Sequence, residues 1–138
     1  MLNIGDASLY GTYCYIRDIV DENGYDTQTI AGVTSFSAIA AVLNKSLTSM
    51  NKPLMIVPGS YNDMDSVLKF PGSKVLMKSG KALVNVKQAI DEAGLTEKAS
   101  LVANCGLPTE RVYKNIKDSE DNEGYFATIL ISSDEELR

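Results

Sequence analysis

Apolar positions along the chain alternate between a helical and a strand-like rhythm. Leu9, Tyr13, Ile16 and Val20 fall at i, i+4, i+7 and i+11, one face of a helix. Asp21, Glu22, Asn23 and Gly24 end that helix, with Gly24 suited to the left-handed position just past it. A short apolar stretch at residues 2–4 and a β-branched stretch at residues 27–30 read as strands, each closed by a turn at Gly5 and Gly32. Thr34 or Ser35 is placed to cap a second helix, whose apolar face is Phe36, Ile39, Ala40 and Leu43. Residues 47–52 read as a loop. Residues 54–57 form a buried strand closed by Pro58 and Gly59. Asp63 caps a brief helix carrying Met64, Val67 and Leu68, which Pro71 and Gly72 break. Residues 74–78 give another strand. Leu83, Val86, Ile90 and Ala93 give another helix, stopped at Gly94. Residues 100–103 run as a strand into Asn104, Cys105 and Gly106, and residues 110–113 as an antiparallel segment. The run at 125–131 is the strongest β signal and is expected to lie centrally. The acidic tail 134–138 is expected to be solvated.

This order predicts an α/β fold with a mixed, mostly parallel sheet flanked by helices. Asp6 or Ser8 is expected to cap the first helix. Composition narrows the function. The chain has 138 residues, 44% of them hydrophobic, and a formal net charge of −5. That charge argues against a nucleic-acid partner, which favours a basic face. No stretch approaches the ~18 apolar residues of a membrane helix, so no membrane is expected as partner. A basic leader before an apolar core is not seen at the start, which fits a cytoplasmic protein. Cys14 and Cys105 lie far apart with no CxxC and read as free thiols. The chain has no histidine, hence neither the commonest metal ligand nor the usual neutral-pH base; no metal site is expected.

Several strands end in a glycine turn, at Gly5, Gly32, Gly80 and Gly106. Such backbone-rich turns suit a small polar ligand at the carboxyl ends of strands. Neither GxGxxG nor GxxxxGK[ST] occurs, so a dinucleotide or P-loop site is unsupported. Lys78, at a strand end, reads as a surface lysine, or else as a base or an anion clamp. Tyr10 and Tyr13, at helical spacing, read as wall or core.

Five motifs occur in one order. They are Gly5-Asp6-x-x-x-Tyr10-x-Thr12-Tyr13, Gly32-Val33-Thr34-Ser35-Phe36, Val75-Leu76-Met77-Lys78, Asn104-Cys105-Gly106-x-Pro108-x-Glu110-Arg111 and Phe126-Ala127-Thr128. Together they resemble the tetrapyrrole methylase family over nearly the whole chain. The Tyr10 to Tyr13 pattern favours the branch acting on precorrin-2 or cobalt-factor II over uroporphyrinogen-III methyltransferase. The resemblance implies a C-methyltransferase of cobalamin biosynthesis that uses S-adenosylmethionine, takes a tetrapyrrole substrate and forms a homodimer. Carried over by position, Gly5 and Asp6 match the turn at the cofactor's methionine end, and Thr34 and Ser35 a second contact. Met77 or Lys78 matches an adenosine-side position, and Cys105 and Ala127 match backbone contacts there. Tyr10 and Tyr13 fall near the methyl donor or the macrocycle, and no catalytic residue is assigned. Lys78, Lys81 and Arg111 are the basic residues available to a polycarboxylate.

Two departures stand out. Ala7 occupies the place of a proline in the family's Gly-Asp-Pro turn, and Ala31 that of the proline before Gly32. The resemblance further assigns residues 1–24 to the last strand and helix of an N-terminal domain otherwise not in this chain, and residues 25–138 to the C-terminal domain. The chain is then a methyltransferase fragment, inactive alone. The alternatives are a non-catalytic binding or dimerisation module of the same fold, or another tetrapyrrole methylase.

Overall fold

The computed structural model describes residues 1–133. The tail expected to be solvated lies outside them. Two compact units are present, residues 1–35 and residues from Phe36 onward.

The first unit holds one helix, α1 (Tyr13–Glu22). Gly24 takes φ +82° and donates its N–H to the Asp21 carbonyl at 2.9 Å, so the helix ends as its sequence dictates. Its start differs from expectation. Tyr10 sits at φ +53°, outside helical space, which leaves Leu9 and Tyr10 before the helix. Asp6 accepts from the Ser8 N–H at 2.8 Å, closing a turn rather than capping α1, and Thr12 at the cap position makes no side-chain cap bond. Residues 2–4 and 27–30 form no strand. A strand needs a ladder, and neither segment has one among the described residues. Side chains hold the unit instead. The Tyr13 and Thr29 hydroxyls are hydrogen-bonded, and Thr27 Oγ1 donates to Asp21 Oδ1 at 2.6 Å. No residue of α1 is buried.

The second unit is built on a sheet. Beyond α2 (Ser35–Leu43) come β1 (Leu54–Pro58), α3 (Met64–Lys69), β2 (Ser73–Met77), α4 (Leu83–Glu92), β3 (Ala99–Ala103), β4 (Arg111–Tyr113) and β5 (Ala127–Ile131). The strand order is β1-β2-β5-β3-β4. The sheet is mixed, as expected. β1 and β2 pair in parallel, β5 pairs antiparallel with both β2 and β3, and β4 pairs antiparallel with β3. Three strands therefore run one way, but β5 lies between two of them. The expected "mostly parallel" sheet thus holds for strand direction, while three of its four ladders are antiparallel.

Burial explains the central strands. Every residue of β2, β3 and β5 is buried, so apolar side chains dominate both faces of these strands, with Ser73, Lys74, Ser100 and Thr128 as the buried polar positions. Leu76, Leu101, Ile129 and Ile131 pack with Leu83, Val86 and Ile90 of α4 and Val67 and Leu68 of α3. Asp63 caps α3 by accepting from the Ser66 N–H at 3.1 Å. None of the described helices is long and apolar enough to cross a membrane.

Candidate functional site

The sequence-nominated residues fall into two clusters, one in each unit. In the first, Asp6 is the hub. Its Oδ1 accepts from Ser8 N–H and from the Ser8 hydroxyl, and its Oδ2 accepts from Gly32 N–H at 2.9 Å. The carboxyl is held below the usual range by the Ser8 hydroxyl first, then by the Gly32 and Ser8 amides. Asp6 thus ties the two nominated turns together across twenty-six positions of sequence. The approach is close enough that a Cβ on Gly32 would collide with the Gly5 carbonyl, which is why glycine stands there. Gly5, at φ +81°, faces the Val33 carbonyl. Ser35 opens α2, and its Oγ is buried with no hydrogen-bond partner among the described residues. Thr34 immediately precedes it. Tyr13 starts α1 with its hydroxyl committed to Thr29, and Tyr10 is 44% exposed in the turn before it. The expected single helical face carrying both tyrosines is therefore absent, since Tyr10 is not helical.

The second cluster lies along one rim of the sheet. β1, β2 and β3 run in the same direction and end at Pro58, Met77 and Ala103, and β5 begins beside them at Ala127. Ala103 is registered opposite Ala127. Ser79 N–H donates to the Ala127 carbonyl and Asn104 N–H to the Phe126 carbonyl, each at 3.3 Å. Gly59 N–H donates to the Met77 carbonyl at 2.6 Å. The topology therefore gathers Met77, Lys78, Cys105 and Ala127, nominated from three separate motifs. Lys78 and Asn104, each one residue past a strand, both adopt left-handed backbone, φ +55° and +53°. For Lys78 this is an uncommon conformation, and it turns the chain sharply at the rim. Its ammonium lies 5.7 Å from the centroid of the Tyr125 ring, which meets Phe126 edge-on with centroids 5.3 Å apart. Burial, then Glu110, pushes the Cys105 thiol up, which favours the neutral form over a reactive thiolate.

Arg111 does not stand as an unengaged cation for a polycarboxylate. Its guanidinium grips Glu123, with Nε at 2.8 Å and Nη2 at 2.6 Å from Oε2. Glu123 was not nominated from sequence. It sits in the acidic stretch 118–124, whose composition reads as solvated loop, yet it is 1% exposed. Tyr125 reads from sequence only as the start of a strand, and Phe126 only as part of that strand and of the last motif, with no site role. The sequence signal that marks the rim is an asparagine directly after an apolar strand, at Asn104.

With these features in place, the class is clear from the family comparison. Residues 1–118 match the family model of Tetrapyrrole (Corrin/Porphyrin) Methylases, and the chain belongs to that family. Cobalt-precorrin-2 C(20)-methyltransferase of Salmonella typhimurium is 27% identical over 135 residues, a match covering 95% of this chain and 56% of that relative. Among solved structures, a cobalt precorrin-4 methyltransferase superposes with a TM-score of 0.75 at 22% identity, over 93% of this chain and 61% of that one. Uroporphyrin-III C-methyl transferase from Thermus thermophilus, complexed with S-adenyl homocysteine, superposes with a TM-score of 0.65 at 20% identity, over 91% and 62%. The mixed α/β fold is thus shared with tetrapyrrole methyltransferases. The chain spans less than two thirds of the length of each of these proteins.

Proposed function

We propose that this chain is part of an S-adenosylmethionine-dependent C-methyltransferase acting on a precorrin-2 or cobalt-factor II-type tetrapyrrole in cobalamin biosynthesis, a cytoplasmic homodimer. One observation carries the reading. Met77, Lys78, Cys105 and Ala127, nominated for the adenosine side, converge at the carboxyl rim of β2 and β3, where open α/β sheets bind ligands. Gly5, Asp6, Thr34 and Ser35 are assigned to the methionine end. The local chemistry fits. Ser35 Oγ is a buried hydroxyl with no partner among the described residues.

When bound, the cofactor supplies a methyl group already activated on a sulfonium. The protein's task is then to hold and align. The turns at Met77–Lys78 and Asn104–Cys105 would hold the cofactor's flat ring, with the Tyr125–Phe126 pair as an apolar wall beside them. Asp6 orders the first pair of turns. Such a role requires neither a general base nor a covalent nucleophile from this chain, in keeping with its lack of histidine.

Calorimetric titration with S-adenosylhomocysteine tests this, on the chain alone and in its full genomic reading frame. Binding by the longer form supports the methyltransferase reading. If neither form binds, a non-catalytic binding or dimerisation module of the same fold takes its place.

A further inference from the structure

The loop between β4 and β5 carries a buried carboxylate with no part in the cofactor contacts proposed above. Glu123 is 1% exposed, and its side chain is wholly covered, in a stretch (118–122) otherwise made of polar residues. Three residues converge on it. Arg111 of β4 reaches Oε2 through Nε and Nη2, and Glu120 N–H donates to Oε1 at 3.1 Å, while the neighbouring Tyr113 hydroxyl also favours the charged carboxylate. A buried charge is tolerable only when met in this way. The anchor fixes the residues after it. Gly124 comes next, at φ +80°, and its carbonyl lies so close to Gly80 that a Cβ there would overlap it. Then come Tyr125, whose ring faces the Lys78 ammonium, and Phe126 and Ala127, whose carbonyls take the amides of Asn104 and Ser79. A single carboxylate thus sits at the head of the segment that forms the middle of the rim.

We infer that Glu123 is a positioning residue: clasped by Arg111 and the Glu120 amide, it holds residues 124–127 in place as one wall of the ligand site. It acts through the backbone and touches no ligand itself. The affinity half of the inference rests on the cofactor reading above; the structural half does not.

Glu123→Gln removes the charge and keeps the shape. Tyr113→Phe removes the hydroxyl that favours the charged carboxylate and serves if the first variant folds poorly. Val86→Ala, in α4, lowers stability without touching the clasp. Two measurements are made on each: hydrogen exchange at the Ser79 and Asn104 amides relative to the β1–β2 ladder, and affinity for S-adenosylhomocysteine in the form of the protein that binds it. Glu123→Gln is expected to speed exchange at those two amides about tenfold and to weaken the ligand about tenfold, with Tyr113→Phe smaller in the same direction and Val86→Ala doing neither. Unchanged exchange in both clasp variants overturns the inference. So does an equal loss of affinity in Val86→Ala, since the effect would then be general destabilisation. If the unmodified protein binds no S-adenosylhomocysteine while Glu123→Gln still frees the two amides, the cofactor reading fails and the structural role stands. If the unmodified protein binds and Glu123→Gln binds equally well, the wall role fails and the cofactor reading stands.

Discussion

Helices α1 and α4 are each ten residues long, and each carries apolar residues at helical spacing. In α4, Leu83, Val86 and Ile90 are buried against the sheet, with Ile90 fully covered. In α1 no residue is buried, and Tyr15, Ile16 and Ile19 are 71%, 47% and 60% exposed. Spacing alone does not separate these cases. An apolar period makes a face, but only a neighbouring layer makes it a core. The second unit supplies that layer in β2, β3 and β5. The first unit is held by polar cross-links, of which Asp6 to Gly32 is the one that joins both nominated turns.

The contrast can be broken most directly by truncation. Ile90→Ala should cost about 2–5 kcal/mol in denaturant unfolding, the range for emptying a closed core site. Ile19→Ala should stay within about 0.5 kcal/mol. Equal losses would mean that α1 is covered in solution and that the two helices do not differ in burial. The next largest effect is expected at the rim. Gly80→Ala drives a methyl into the Gly124 carbonyl and should cost about 1–3 kcal/mol by the same measurement.

Acid sharpens the comparison on the charged side. Burial raises the Glu123 carboxyl, but Tyr113, Arg111 and the Glu120 amide outweigh it and leave it below the usual range. Its unfolded value is ordinary. The stability it contributes is therefore complete above that ordinary value and is lost as pH falls through the folded one. Unfolding midpoints followed from about pH 7 to about pH 3 should fall more steeply in the unmodified protein than in Glu123→Gln. Glu120 is the other carboxylate facing the clasp, and its charge disfavours the ionised form of Tyr113. The smallest effect on stability is expected at Asp6, which is only half-buried and bonds within the turns of the first unit. Asp6→Ala should leave unfolding of the sheet unchanged while lowering affinity for S-adenosylhomocysteine about tenfold, read by calorimetry.

Much of the second unit was legible because its signals are local. Asp63 caps α3, Gly94 stops α4, and the run at 125–131 is central because five consecutive buried residues need a strand on either side. Residues 2–4 and 27–30 misled because strand-like composition says nothing about whether a partner strand is present. Tyr10 misled because a lone left-handed residue leaves the apolar period intact while removing the helix beneath it. The nominated site residues were reached through resemblance rather than local chemistry, and their convergence at the rim depends on β5 inserting between β2 and β3, which no local pattern encodes. Glu123 was hidden for a related reason. Its burial comes with Arg111 and Tyr113, both well upstream in β4, and a glutamate in an acidic stretch gives no sign of such partners.

The placement of β5 also has a consequence in time. The strand at the middle of the sheet is the last to leave the ribosome among those described. Until residue 131 has emerged, β2 and β3 each present an open edge of unpaired backbone, and β1–β2 and β3–β4 can exist only as separate two-stranded pieces. Formation of the sheet is then a late, long-range closing step. It should be slow, and most exposed to aggregation during synthesis just before residues 127–131 arrive.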